Sequence, residues 1–365
     1  MARITLDLAH AYRSDPKADE DYALLPLKMS FEDGGAYALL GPSGCGKTTM
    51  LNIISGLVQP SHGSVEFDGR DVTRLSPQQR NIAQVFQFPV IYDTMTVAEN
   101  LAFPLKNRGV DPARIRQRVG RIAEMLELDA QLNQRAAGLS ADVKQKISLG
   151  RGLVREDVSA VLFDEPLTVI DPLLKWQLRR KLKQIHQELK LTLVYVTHDQ
   201  VEALTFAEQV VVMTRGRAVQ VGSASELFDR PGHMFVGHFI GSPGMNFLAA
   251  RGSGNGMAIE VAGRALPGAP SQLAALDGFT LGLRPEHLAL APPHAPGAVP
   301  ATVVRRQDVG TYWLLTTEVG EGEDRTLVRA RLPADAVCPP EGAAVWLALV
   351  GPHTCYYGPN QELIA

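Results

Sequence analysis

Ala36-Tyr37-Ala38-Leu39-Leu40-Gly41-Pro42-Ser43-Gly44-Cys45-Gly46-Lys47-Thr48-Thr49-Met50-Leu51-Asn52-Ile53-Ile54 is the stretch around which the chain is organised. Its first five residues are an apolar run that reads as a buried strand, and Thr49 to Ile54 reads as the helix that follows. Between them, Gly41 to Thr48 fits G-x-x-x-x-G-K-S/T in the strand–turn–helix setting this pattern requires. Glycines let such a loop curl until its N–H groups surround a β-phosphate, while the positive end of the helix points at the same anion. The residues placed around the phosphates are Gly41, Ser43, Gly44, Cys45, Gly46, Lys47, Thr48 and Thr49. Lys47 can bridge β- and γ-phosphates, and the Thr48 hydroxyl can hold Mg²⁺.

Upstream, residues 4–12 read as an opening strand and Arg13 to Asp21 as an exposed hairpin or loop. An aromatic residue here can stack on an adenine face. Tyr12 is the better candidate and Tyr22 the runner-up, with an ordinary half-buried tyrosine the competing reading for either. Downstream, Gly63 to Arg70 has the alternation and Asp-Gly turn of an edge hairpin. Asn81 to Gln87 reads as a buried strand ending in an amide, from which Gln87 can reach a metal or a nucleophilic water. Residues 97–130 have helical periodicity, with Ile115, Val119, Ile122, Met125 and Leu126 on one face. The pattern pauses around Leu139 to Asp142, and a helix resumes from Lys144 to Val154.

Val158 to Pro166 is a third buried strand, with two carboxylates at its end. Asp164 is placed to contact Mg²⁺ through water, and Glu165 to accept a proton from attacking water. A helix over 172–189 leads to a strand at Leu191 to Thr197, which ends in His198-Asp199. His198 can donate to a γ-phosphate from there, or serve only as a capping residue. Repeated strand–helix units predict a mostly parallel sheet with ligands beyond the carboxyl ends of its strands.

At 365 residues, with 45% hydrophobic and 21% charged residues, two globular domains are expected. Near residue 240 the texture changes. Gly241-Ser242-Pro243-Gly244 punctuates the chain, and residues 252–300 are rich in Ala, Gly and Pro. Runs at 279–283, 301–305, 312–318, 326–332 and 344–349 read as short strands of a β-barrel or sandwich. The expected fold class is therefore α/β, a P-loop NTPase core followed by a small all-β domain. The expected domains are 1–240, with a helical subdomain at about 90–155, and 241–365. A net charge of −3 gives no reason to expect nucleic acid. No apolar run approaches the roughly 18 residues of a membrane helix, and the N-terminus lacks a signal peptide's apolar block. A cytoplasmic protein is expected. Cys45, Cys338 and Cys355 follow neither a disulfide nor a zinc spacing and read as reduced thiols.

Taken together, these residues resemble the ATP-binding subunits of ABC transporters, over essentially the whole chain. Gly41 to Thr48 matches Walker A, Gln87 the Q-loop, and Phe163-Asp164-Glu165 the end of Walker B with its catalytic glutamate. Asp171 matches the D-loop aspartate and His198 the switch histidine, all in the family's order. Gly241 to Leu248 and Leu283-Arg284-Pro285-Glu286-His287-Leu288 resemble hallmarks of the carbohydrate-importer, maltose-type branch. In that branch the C-terminal barrel is oligonucleotide-binding-like and serves regulation and dimer contact. Within it, the likeness is closest to glycerol and glycerol-3-phosphate uptake systems. The resemblance implies ATP and Mg²⁺ as cofactors, with Thr48, Gln87 and Asp164 around the metal and Asp171 at the nucleotide. It also implies permease subunits in the membrane, an extracytoplasmic solute-binding protein acting indirectly, and a peripheral position on the cytoplasmic face of the inner membrane.

One departure is large. Where the family reads Leu-Ser-Gly-Gly-Gln, this chain reads Leu139-Ser140-Ala141-Asp142-Val143. Two glycines that let backbone approach a γ-phosphate are replaced, one of them by a carboxylate. The D-loop is also unusual, at Thr168-Val169-Ile170-Asp171. The leading expectation is an energy-coupling ATPase for import, paired with a second, different ATPase subunit. The alternatives are a catalytically weak ATP-binding regulatory subunit and a soluble ABC ATPase of DNA repair or translation, the last disfavoured by the single ATPase core and the charge.

Overall fold

The alternating N-terminus forms β1 (Ile4–Ala11), which pairs antiparallel with β2 (Tyr22–Phe31) from Ile4 opposite Phe31 to Ala11 opposite Tyr22. β3 (Ala36–Leu40) is buried along its whole length and feeds α1 (Lys47–Ser55) through the loop at Gly41 to Gly46. β4 (His62–Phe67) and β5 (Arg70–Asp71) make the expected hairpin. Its turn residues Asp68 and Gly69 both have positive φ, 51° and 76°, as a two-residue turn of this twist demands. The computed structural model describes all residues except 169, 254–257, 269, 274–275 and 323–324, and the side chain of residue 173. Val169 of the Thr168–Asp171 segment thus lies outside the described residues.

β6 (Ile82–Val85) is shorter than the expected strand at both ends. Asn81 has a φ of 59°, which no strand tolerates, and the chain leaves the sheet at Phe86. Three helices follow: α2 (Val97–Lys106), started by a Thr96–Glu99 capping box, α3 (Pro112–Leu126) and α4 (Ala141–Leu153). Leu101, Val119, Ile122, Ile147 and Leu153 pack them into one core. The pause expected around Leu139 to Asp142 is shorter, confined to Leu139 and Ser140, because α4 starts at Ala141 with Ser140 as its N-cap residue. Alanine and aspartate sustain a first helical turn that two glycines would weaken.

The remaining elements of this part are β7 (Ala160–Asp164), α5 (Pro172–Leu189), β8 (Leu193–Thr197), α6 (Gln200–Phe206), β9 (Gln209–Thr214) and β10 (Arg217–Gly222). The central sheet has the order β10-β9-β3-β8-β7-β6, parallel except for β10 on β9. Strand side chains alternate between its faces. Phe163 and Tyr195 pack with Leu178 and Leu182 of α5, whereas Leu39, Leu162 and Val196 pack with α1 and the β2-β1-β4-β5 sheet. Burial on both faces is why these strands read as continuous apolar runs.

Contacts divide the chain into two units, Met1–Ala224 and Ser225–Ala365. Around the start of the second lie two short helices that the sequence pattern did not announce, α7 (Ala224–Asp229) and α8 (Met234–Phe239). Then come β11 (Asn246–Gly252), β12 (Ala258–Val261), β13 (Arg264–Pro267), β14 (Phe279–Leu283), β15 (Ala289–Leu290), β16 (Ala298–Asp308), β17 (Tyr312–Val319), β18 (Thr326–Pro333), β19 (Ala344–Ala348) and β20 (Cys355–Tyr357). They form two antiparallel sheets, β13-β12-β11-β14-β20 and β15-β19-β16-β17-β18, closed over Leu248, Ile259, Leu281, Val299, Leu315, Val328 and Leu347. Arg284, from the Leu283–Leu288 motif, is fully buried. Its guanidinium donates to the carbonyls of Leu227 at 3.3 Å, Phe228 at 2.8 Å and Gly237 at 3.2 Å, and also to that of Ile240. One side chain therefore closes the carbonyl ends of both α7 and α8.

Candidate active site

Strand register gathers the expected site residues on one edge of the central sheet. Leu40 lies opposite Thr197, Asp164 opposite Val196, and Val85 opposite Phe163. Gly41, Glu165 and His198 consequently leave the carboxyl ends of neighbouring strands, and Gln87 follows two residues after β6 ends at Val85. The loop itself needs glycine at defined points. Gly46, the N-cap of α1, has a φ of 103°, and a Cβ there would lie 2.5 Å from the carbonyl of Ala23. A Cβ on Gly41 would lie 2.2 Å from the carbonyl of Met213.

Lys47 is only 6% exposed. Its Nζ donates to the carbonyls of Gly41 at 2.8 Å and Pro42 at 3.0 Å, with Sγ of Cys45 3.8 Å away. Burial pushes the Cys45 thiol up, and Cys45 is a free cysteine, as are Cys338 and Cys355. Thr48 Oγ1 donates to Asp164 Oδ1 at 3.3 Å, which joins the phosphate loop to the end of β7. Burial holds the Asp164 carboxyl above the usual range; the Thr48 hydrogen bond opposes that, and neighbouring Glu165 adds to it.

Glu165 sits in the left-handed region at a φ of 47°. Its Oε2 accepts from Thr168 Oγ1 at 3.2 Å and lies 3.1 Å from Nδ1 of His198. Tyr12, just past β1, is 66% exposed rather than half-buried, and its hydroxyl lies 3.2 Å from Thr49 Oγ1. Tyr22 instead begins β2. Asp171 precedes α5, and its backbone carbonyl accepts from the N–H of Lys175 at 2.8 Å. Ser43 and Gly44 lie in the exposed part of the loop.

Two residues that hold this arrangement were not expected. Glu202 is buried in α6 and accepts from Tyr195 Oη at 3.1 Å and Thr197 Oγ1 at 2.9 Å, with Lys175 Nζ 3.7 Å away. It fixes the turn that carries His198. The D-x-x-E spacing of Asp199 and Glu202 was the available signal. Gln145 of α4 is buried, and its Nε2 donates to the Pro166 carbonyl at 2.6 Å and to that of Phe86 at 3.5 Å.

In the altered signature segment, Ser140 Oγ donates to Asp142 Oδ1. Lys144 Nζ donates to Asp93 Oδ1 at 3.0 Å, and Lys146 Nζ lies 3.8 Å from Glu127 Oε2. No described helix is long and apolar enough to cross a membrane. The described residues contain no cluster of three or more His, Cys, Asp or Glu that could hold a metal.

The family pattern described as ABC transporter matches residues 24–168, the MalK OB fold domain 241–288 and the TOBE domain 281–355. The sn-glycerol-3-phosphate import ATP-binding protein UgpC of Paraburkholderia xenovorans (strain LB400) is 40% identical over 347 residues, which is 93% of this chain and 94% of that protein. The chain belongs to the ABC transporter ATP-binding family. UgpC of Salmonella choleraesuis (strain SC-B67) is 42% identical over 326 residues, 89% of this chain and 90% of that protein. Among solved structures, cbiO1 from Clostridium perfringens, part of an ABC transporter complex, matches with a TM-score of 0.56 and 26% identity, over 62% of this chain and 90% of that one. The dimeric ATP-binding cassette MJ0796 bound to ADP and Pi matches with a TM-score of 0.53 and 26% identity, over 61% and 98%. This ABC ATPase is an ATP hydrolase coupled to transport, with an oligonucleotide-binding-like second domain.

Proposed function

We propose that this ABC ATPase powers import of sn-glycerol-3-phosphate or a related small polyol from the cytoplasmic face of the membrane. It would be bound there to permease subunits that an extracytoplasmic binding protein supplies. The carrying observation is identity of 40% and 42% to two sn-glycerol-3-phosphate import ATP-binding proteins, over 93% and 89% of this chain. Deleting the gene and following uptake of labelled sn-glycerol-3-phosphate and glycerol tests it. Loss of either supports the reading; undiminished uptake of both, with a disaccharide no longer taken up, overturns it.

In this reading the side chains divide the work. Two of the three Lys47 donors rest on the Gly41 and Pro42 carbonyls, which aims the ammonium into the loop where a phosphate lies. Thr48 Oγ1 and Asp164 Oδ1 are hard oxygen donors that suit Mg²⁺ completed by phosphate and water. The ion, when bound, neutralises charge on the transferring phosphoryl group. Glu165 accepts the proton of the attacking water, His198 and Thr168 orient its carboxylate, and Gln87 reaches the same edge. The stretch around Gln87 exposes Phe86, Phe88, Val90 and Tyr92, an apolar surface suited to a permease.

The reading includes an asymmetric pair, this chain beside a related subunit with an intact Leu-Ser-Gly-Gly-Gln. In a pair of identical chains both nucleotides would meet Asp142. A carboxylate about 4 Å from a phosphate is opposed by about 1 kcal/mol per unit charge in bulk water and about 4 at an effective dielectric near 20. The competing reading, a working pair of identical chains, needs Lys144 or Lys146 to supply a phosphate contact. Their contacts with Asp93 and Glu127 favour the asymmetric pair.

A further inference from the structure

The alternation of β1 breaks at its end, where Leu8, Ala9, His10 and Ala11 are all buried and the pairing with β2 shifts register on both sides of His10. A bulge of this kind re-aims a side chain. Here it turns the His10 ring inward against Tyr12, with centroids 4.6 Å apart and planes at 85°. His10 is itself held by Ser61, which follows the bend from α1 to β4. Ser61 Oγ donates its single proton to the Ala11 carbonyl at 3.0 Å and accepts from the Ala11 N–H at 3.1 Å. The remaining contact, 3.2 Å to His10 Nδ1, must then be donated by the imidazole. His10 therefore carries a proton on Nδ1, and among the described residues its buried Nε2 has no partner. Burial lowers its pKa, which favours the neutral ring.

An apolar residue would fill this space without burying a bare nitrogen, so the histidine carries a cost that packing alone does not explain. We propose that His10 is a positioning residue that sets the plane of Tyr12 as the platform for the nucleotide base. The platform has two anchors. Thr49 Oγ1 in the first turn of α1 holds the Tyr12 hydroxyl, and His10 with Ser61 holds its ring edge-to-face. Ring and phosphate loop then keep one relative geometry before ATP arrives, which cuts the ordering cost of binding. This rests on the nucleotide-site reading given above for the phosphate loop, and on base stacking by Tyr12.

The test uses the purified full chain and measures affinity for ATP and for inorganic triphosphate, which has no base. His10→Ala should weaken ATP binding roughly two- to tenfold, the range of one aromatic pair, and leave triphosphate binding unchanged. His10→Phe and Ser61→Ala, which each keep a ring against Tyr12 but lose the bond that fixes its tilt, should both fall between His10→Ala and the unmodified protein. Tyr12→Ala is the control for the platform itself. If Tyr12→Ala weakens ATP binding while His10→Ala does not, the platform stands and the role of His10 is overturned. Equal weakening toward ATP and triphosphate in His10→Ala, or in His10→Phe should the alanine variant not fold, would also overturn it in favour of a general structural role. No effect of Tyr12→Ala on ATP would remove the platform, and His10's task with it.

Discussion

Nδ1 of His198 lies 3.1 Å from Oε2 of Glu165, the oxygen that Thr168 Oγ1 also approaches to 3.2 Å. The carboxylate is thus aimed from two sides, on a residue whose left-handed backbone, φ 47°, is held by a 3.0 Å bond from its N–H to the Val196 carbonyl. Strain kept by surrounding structure is common where chemistry is done. Glu165→Gln preserves shape and removes the proton acceptor. Turnover in the reconstituted transporter should fall about 10²–10⁴-fold with ATP affinity retained. A rate near that of the unmodified protein would take the role away from Glu165.

Lys47→Ala removes a charge-assisted phosphate contact. Such contacts are worth roughly 1.5–3 kcal/mol, so ATP affinity should drop about ten- to a hundredfold. Titration of the purified chain with ATP checks this, and equal affinity in both proteins would dismiss the phosphate loop as the nucleotide site.

Asp142→Gly restores one glycine of the signature segment and releases the Ser140 hydroxyl from its carboxylate. If the natural assembly holds two copies of this chain, the change should raise ATPase activity. If it holds a different partner with an intact signature, it should alter chiefly the weaker of two sites. Two identical chains that hydrolyse ATP briskly, with no gain in the variant, would sink the asymmetric pair.

Arg284→Ala strips the carbonyls of Leu227, Phe228, Gly237 and Ile240 of their shared donor. Unsatisfied buried acceptors cost about 1–3 kcal/mol each, with incomplete additivity, so on the order of 3 kcal/mol or more should be lost. Calorimetry of the full chain should show the transition of the second unit at lower temperature, with ATP binding unaffected. An unchanged melting profile would mean water replaces the guanidinium.

Burial, and then the stacked His353 ring 4.0 Å away, lower the pKa of His287. Glu286 and Asp229 pull it the other way, and Arg284 lowers it further. A group with a folded pKa below its unfolded value of about 6.5 contributes stability that is full above that pH and is lost as pH falls through the folded value. The second unit should therefore destabilise as pH drops below about 6.5, and His287→Phe should flatten that decline. Melting temperature as a function of pH, compared for the two proteins, decides it; parallel curves would show that His287 is not the titrating group.

The central sheet and the site edge were legible because β3, β7 and β8 are buried on both faces and end in residues with few structural reasons to be there. Gly41, Glu165 and His198 are such residues. Glu202 looks like an ordinary helix-start acid until Tyr195 and Thr197, seven and five residues before it, point at it. Residues whose partners come from distant parts of the chain were not legible either. Gln145 meets Pro166 and Phe86 only after the helices dock, and nothing local marks His10 as a neighbour of Ser61. The six-residue helices α7 and α8 are too short to persist on their own propensity. Arg284 completes them from more than forty positions downstream.

Gln145 has one amide group and three segments depending on it. Its Nε2 is shared between the turn after Glu165 and the carbonyl beside Gln87, while its backbone belongs to α4, the helix that begins at the altered signature. A rigid-body shift of α4 by an ångström would stretch the 2.6 Å bond to Pro166 past its useful range. The helix and the turn after Glu165 are thus mechanically geared: they travel together, or the amide disengages. A displacement at the start of α4 would therefore be felt one residue from Glu165, at the Pro166 carbonyl, through the Gln145 amide.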